Sequence, residues 1–281
     1  VEWSVNDDEN PRNWPNWRKA IRISLAIFQA VMIHSGAFIL IPSLAMIRNL
    51  PQADDSLELA GFALSAHLVG FAAGPLLWRP LSTLIGSRLV DLITGAGFGA
   101  LTLSSLAPVP LAAFIVLRFY AGVFGGGALA NGPTIIDDLL RRRARSVCQT
   151  LYLLGQFAGF IIGPVVARLT SLTASEDHWR YLLLIPGVGV LVSVAVLGML
   201  WRTAGETYAP VLLEARASGL RNRHSNNQYR SRYDTGLTPW QSFRQKAAEP
   251  LKLLFTEKEC AGYAAFAGLL YGVQYFILTT M

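Results

Sequence analysis

Arg118 is the one charge well inside an apolar stretch, LAAFIVLRFYAGVFGGGALANGPTIIDDLL, that runs from Leu111 to Leu140 and carries Asp137 and Asp138 at its end. A charge within a hydrocarbon-spanning segment costs roughly 2.5–3.5 kcal/mol on insertion scales, so it normally faces a bundle interior or a wet cavity. An arginine keeps its proton, and acts in proton coupling only by biasing a neighbour or holding a polar network. The other reading of Arg118 is a cation that snorkels to the nearby end of its segment. His34 and His67 are the other titratable groups at mid-depth. An imidazole titrates near neutrality, and each either passes a proton or is a neutral hydrogen-bonded group. Asp138, at the far end of the Arg118 stretch, is the third candidate for proton handling beside Arg118 and His34. By depth and polarity, Gln29, His34, Phe38, His67 and Asn131 are expected to line a central cavity. No carboxylate lies near the middle of any apolar stretch, which counts against a simple carboxylate relay.

Small residues recur beside these groups. Gly122, Gly126 and Ala130 follow Arg118 at every fourth position. Gly155, Gly159, Gly163 and Ala167 do the same further on, with Pro164 after the third glycine. Such ribbons let helix backbones approach closely in lipid. A proline inside such a helix weakens it locally, where neighbours satisfy the freed carbonyl. Two readings follow for the second ribbon: packing alone, or a tight, bendable contact between halves that rock.

The elements that must position these residues are long apolar segments. The chain has 281 residues, 52% hydrophobic and only 15% charged, and a mean hydropathy of +0.39. Soluble domains carry about a quarter charged residues. The composition therefore indicates an all-α integral membrane protein. Six spans are expected within residues 23–201: Ile23–Ile47, Ala60–Trp78, about Leu89–Leu106, the Arg118 stretch, Val147–Leu169 and Tyr181–Trp201. A polar tail, 1–22, precedes them. A polar, basic segment, 202–259, follows, and a seventh span, 260–281, is cut off at Met281. The chain thus reads as a fragment of a longer protein. In the tail, Trp14 and Trp17 before Arg18, Lys19 and Arg22 read as a juxtamembrane anchor. Within the polar segment, ETYAPVLLEARA reads as an amphipathic helix on the inner leaflet. Trp240 and Phe243 are placed at the interface before the seventh span.

Of the 24 Lys and Arg residues, twenty fall on the side of the tail; the opposite loops hold only Arg48 and Arg180. The positive-inside rule puts the N-terminus in the cytoplasm. Because the basic residues sit in loops between spans, the net charge of +6 speaks for a membrane and not for nucleic acid. Cys148 and Cys260 both fall near the expected cytoplasmic face and imply no disulfide framework. No nucleophile elbow, metal-ligand cluster, phosphate loop or dinucleotide fingerprint stands in a loop, so neither an enzyme nor a cofactor or metal is expected.

Several motifs, in order, resemble the fungal drug:proton antiporters of the major facilitator superfamily, the group holding azole-resistance and polyamine exporters. Asn10-Pro-Arg-Asn-Trp14-Pro resembles the family's entry motif. Gly74-Pro-Leu-Leu-Trp78-Arg-Pro-Leu-Ser82, followed by Gly86-Ser-Arg88, resembles its loop motif between spans two and three. Arg118-Phe-Tyr-Ala-Gly122 resembles the span-four motif linked to proton coupling, and Asn131-Gly132 through Asp138-Leu139 its continuation. Gly155 to Pro164 resembles the span-five antiporter motif; Trp179-Arg180 and Glu206-Thr-Tyr-Ala-Pro-Val-Leu-Leu213 complete the series. The resemblance implies the six-helix N-terminal bundle of a twelve-span exporter. Substrate would lie between two bundles, and the second bundle is missing here. It further implies a multi-pass protein, here assigned to the plasma membrane, with small organic, drug-like or polyamine-like substrates and protons as partners. Gly74, Gly86 and Arg88 would belong to an inner gate. The chain departs from the pattern at Thr83, where an acid is usual, at Ser87, where a base is usual, and at Arg168. A facilitator or symporter on the same scaffold, or an inactive half-transporter remnant, are the alternatives.

Overall fold

The computed structural model describes residues 1–4, 7–41, 57–107, 109–171, 181–200, 205–224, 228–234, 236 and 238–280. Arg48, the Trp179-Arg180 pair and the far ends of the first and sixth expected spans lie outside them. Two compact units emerge, Val1–Gly236 and Leu237–Met281. The described residues of the first are helical, with seven α-helices: α1 Asn16–Phe38, α2 Leu57–Ile85, α3 Ser87–Ser104, α4 Leu111–Leu139, α5 Arg142–Ser171, α6 Leu184–Met199 and α7 Ala209–His224. The second unit has α8 Pro239–Thr256 and α9 Lys258–Thr280.

α1, α2, α4 and α5, and the segment Tyr181–Met199 that contains α6, are long and apolar enough to cross a membrane. α3 is an 18-residue helix whose first turns carry Arg88 and Asp91, and it falls outside that group. The helices overrun the apolar stretches at several ends, because backbone hydrogen bonding continues where apolar composition stops. Pro75 and Pro80 sit inside α2, Pro133 inside α4 and Pro164 inside α5. None of them ends its helix, as expected where neighbouring helices stabilise the freed carbonyls.

α4 is the hub: it packs on α2, α3, α1 and α5, while α1 packs on α5 and α6, and α3 on α6. The apolar core forms three layers along the bundle. At the tail-side end Trp14, Ile23, Ala26, Ala30, Ile135, Ile136, Leu139 and Tyr152 meet. Ile33, Phe98, Ala121, Ala128 and Val190 form the middle layer. Ile39, Leu40, Ala63, Leu111, Phe114, Ala167, Leu182 and Leu183 close the far end.

The tail differs from a simple anchor. Trp17 is 55% exposed, but Trp14 is only 6% exposed and belongs to the core. Arg18 lies over the Trp14 ring at 3.6 Å. The reason is that α1 begins at Asn16, so the tail turns onto the bundle before the helix starts. Upstream residues dock on the segment after α6. Asp7 accepts a hydrogen bond from Arg216 of α7 at 2.6 Å, and Arg232 pairs with Glu2 at 3.4 Å. α7 forms where the amphipathic stretch lies, and its Leu213 and Ala217 are buried against protein.

In the second unit Thr238 and Gln241 form a reciprocal capping box at the start of α8, which stabilises the first turn by satisfying two orphan N–H groups. Trp240 and Phe243 stack there with ring centres 5.8 Å apart.

Candidate functional site

Arg118 is 0% exposed, so it does not snorkel. It shares the buried stripe of α4 with Phe114, Ala121, Gly122 and Gly125. Its guanidinium lies 5.3 Å from the centre of the Phe114 ring, and none of its three nitrogens has a hydrogen-bond partner among the described residues. His67 of α2 is 1% exposed, and its Nδ1 meets the Arg118 carbonyl at 2.8 Å. Phe71, one turn on, lies 4.6 Å from the His67 ring and 6.0 Å from the His34 ring. His34 of α1 has its Nδ1 3.0 Å from the Ala30 carbonyl. Its ring lies 6.0 Å from Phe160, which stacks on Phe38 at 3.6 Å. Arg118, His67, His34 and Phe38 thus form one cluster, knitted by aromatic rings.

Glycines make this cluster possible. On α4, a Cβ at Gly126 would lie 2.6 Å from the Phe71 carbonyl oxygen, and one at Gly122 would strike that of His67. Gly74 of α2 abuts the α4 backbone around Val123 and Gly127 in return. On α5, Gly155 faces Ile27, Gly159 faces Val31 and His34, and Gly163 would place a Cβ 2.8 Å from the Ser35 carbonyl oxygen. The two small-residue ribbons are therefore the α2–α4 and α1–α5 contacts.

The other expected cavity residues lie apart. Gln29 is 3% exposed, below the cluster on α1, and its Nε2 has no partner among the described residues. Asn131 is 1% exposed and donates to the Ser87 carbonyl at 3.0 Å. It lies thirteen residues along α4 from Arg118, about 20 Å at the helical rise. Asp138 lies further still, about 30 Å from Arg118. It borders a tail-side cavity of about 120 Å³ with Trp3, Asn10, Arg12, Thr207 and Tyr233. Its Oδ2 is buried with no hydrogen-bond partner among the described residues. All five expected cavity side chains are buried within the first unit; none stands on its outside.

A second polar centre occupies the tail-side end; Gly86 and Arg88 are among the sequence-based candidates, while Arg22, Asp91 and Glu206 are not. Arg22 and Asp91, both nearly inaccessible, pair at 2.8 Å and join α1 to α3. Arg22 was expected among the anchor cations; the early start of α1 carries it inside the bundle. Nearby, Glu206 caps α3. Its Oε1 accepts from Ser87 N at 3.1 Å, Ser87 Oγ at 2.7 Å and the backbone N of Thr207 and Tyr208, both at 2.9 Å; its Oε2 accepts from Arg88 N at 3.1 Å. Gly86 precedes α3 at φ +98°, a conformation glycine adopts readily, and any Cβ there would strike the Glu206 carboxylate. A carboxylate on the first N–H groups of a helix is favoured by the helix dipole. The hydroxyl of Ser87 thus holds Glu206 without the base usual at that position. One signal was available in the sequence: α3 opens on a glycine, which has no side chain to cap it, and an acid follows the sixth span.

The sequence model described as Major Facilitator Superfamily matches residues 12–281. The MFS-type transporter atr4 of Stereocaulon alpinum is 33% identical over all of this chain and half of its own length. The major facilitator superfamily multidrug transporter mdrA of Aspergillus fumigatus is 29% identical over 99% of this chain and 45% of its own. The efflux pump radE of Floropilus chiversii is 27% identical over all of this chain and 51% of its own. The chain therefore spans about half the length of the curated relatives it matches. Among solved structures, the proton:xylose symporter XylE superposes with a TM-score of 0.62 at 16% identity, over 87% of this chain and 55% of that one. At that identity the likeness concerns the fold alone.

Proposed function

This chain belongs to the Major Facilitator Superfamily, and we propose that it is the N-terminal half of a proton-coupled exporter of small organic, drug-like molecules. The tail and the segment after α6 lie in the cytoplasm, and a second six-helix bundle supplies the other wall of the pathway.

One observation carries this reading. The bundle buries two arginines completely, Arg22 and Arg118, and treats them differently. Arg22 is matched by Asp91 at 2.8 Å, as a structural charge is expected to be. Arg118 is buried as deeply and has no hydrogen-bond partner among the described residues. An unmatched guanidinium at that depth is unfavourable unless something in the working cycle compensates it. Substrate, water or a group of the second bundle meets that need in turn. His67 on the Arg118 carbonyl and His34 across Phe71 are the proton-carrying candidates beside it. Asp138 handles protons at the cytoplasmic end. The glycine-lined α1–α5 contact lies within this one bundle and holds His34 close against α5.

The test is export by the full-length protein in proteoliposomes under an imposed proton gradient. Uphill export that stops when the gradient is collapsed is the expected result. Export indifferent to the gradient sinks the coupling, and favours a facilitator.

A further inference from the structure

We propose that the α4–α5 turn and the start of α1 together hold the headgroup of an anionic phospholipid of the cytoplasmic leaflet; the choice of leaflet rests on the orientation proposed above. Arg141, Arg142 and Arg143 lie at this turn and are exposed. Arg145 is matched by Asp137 at 2.6 Å. The other three arginines have no ion pair among the described residues. Lys19 of α1 lies one turn before Ile23, which packs in one cluster with Leu139 and Leu140 at the end of α4, and its charge and that of Arg141 repel. Its ammonium donates to a neutral acceptor, the Arg12 carbonyl, at 2.7 Å. Two neighbouring elements thus supply four cations, and Asp137 beside the turn is already engaged by Arg145 and by Gln149. A phosphate is the anion that arginine forks match best.

The surface next to the cations identifies the source of that phosphate. Arg143, Val147, Leu151 and Leu154 follow one another at spacings of four, four and three, which places them on one stripe of α5. Val147 is 60% exposed, Leu151 48% and Leu154 56%. A cationic cluster at the head of an apolar stripe exposed on this unit has the layout of a phospholipid, with phosphate above and acyl chain below. A soluble phosphate would use only the cations. Juxtamembrane basic clusters of this size attract anionic lipid.

The experiment places the full-length protein in nanodiscs of mixed phosphatidylcholine and phosphatidylserine, and counts retained lipids by native mass spectrometry. Phosphatidylserine is expected to be retained over phosphatidylcholine, and roughly a hundredfold less by the R141Q/R142Q/R143Q variant, at about fivefold per arginine. The variant R141K/R142K/R143K keeps most of the preference. Equal retention by parent and glutamine variant overturns the proposal. So does displacement of the lipid by excess inorganic phosphate, which would mark a free-anion site. Should the glutamine variant fail to fold, a salt series on the parent decides: retention falls with ionic strength if the contact is electrostatic, and constancy overturns it.

Discussion

At the scale of the residue, Arg118 and Arg22 form a natural contrast. Both are 0% exposed, yet only Arg22 has a carboxylate, that of Asp91. Removing one partner of a buried pair leaves an uncompensated charge and costs about 3–5 kcal/mol. Removing a charge that has no partner relieves the fold. Arg118→Met, similar in length and apolar, is therefore expected to leave thermal stability unchanged or raised, by up to about 1–4 kcal/mol, while gradient-driven export is lost. Thermal unfolding in detergent and proteoliposome export, measured on the same preparation, check this. A large fall in stability would mean that the guanidinium has a structural partner in the full-length protein; retained export would remove Arg118 from the mechanism.

At the scale of the element, close contacts decide which glycines are needed. Gly126 packs on the Phe71 backbone, whereas a Cβ at Gly198 of α6 meets nothing within 4 Å. Alanine gains about 1 kcal/mol over glycine in helix propensity, and overpacking costs about 1–3 kcal/mol. Gly126→Ala should therefore lower the melting temperature and weaken export, while Gly198→Ala is neutral or stabilising. Equal effects at the two sites would show that α2 and α4 are not held at this distance. The tail is a second element-scale case. The hydrogen bond from Arg216 holds the Asp7 carboxyl below the usual carboxylate range. A depressed folded-state pKa stabilises the docked tail above the unfolded value, about 3.9, and that stability is lost as pH falls through the lower folded value. Hydrogen exchange in residues 1–13 should accordingly be flat near neutrality and rise, beyond its intrinsic pH dependence, as the pH falls below 4. Asp7→Asn should show the raised exchange already at neutral pH; a variant indistinguishable from the parent would mean that the pair does not hold the tail.

At the scale of the whole molecule, what could be read from the sequence follows from which forces are local. Apolar blocks and their separation depend on composition along the chain, and the helices from α1 to α6 lie where those blocks lie. The glycine ribbons were legible for the same reason, since a four-residue spacing is a property of one helix. Arg22–Asp91 and Glu206–Ser87 join residues 69 and 119 positions apart, and such pairs depend on how each helix is rotated and how deep it sits. No local pattern encodes that, so Arg22 reads as an anchor cation of the tail and Glu206 as part of a motif. Orientation is likewise a sum over the chain: under the proposed topology of six crossings, twenty of the 24 Lys and Arg residues lie on the tail side, to which the sixth crossing returns the chain. Cys260, exposed near the start of α9, reports on this directly. In a Cys148→Ser background of the full-length protein, with any later cysteines also replaced, a membrane-impermeant maleimide should label Cys260 only after cells are permeabilised. Labelling of intact cells would invert the topology. It would move the Arg141–Arg143 cluster to the outer leaflet and Asp138 to the opposite side of the proton gradient, so both the lipid and the coupling proposals would fall with it.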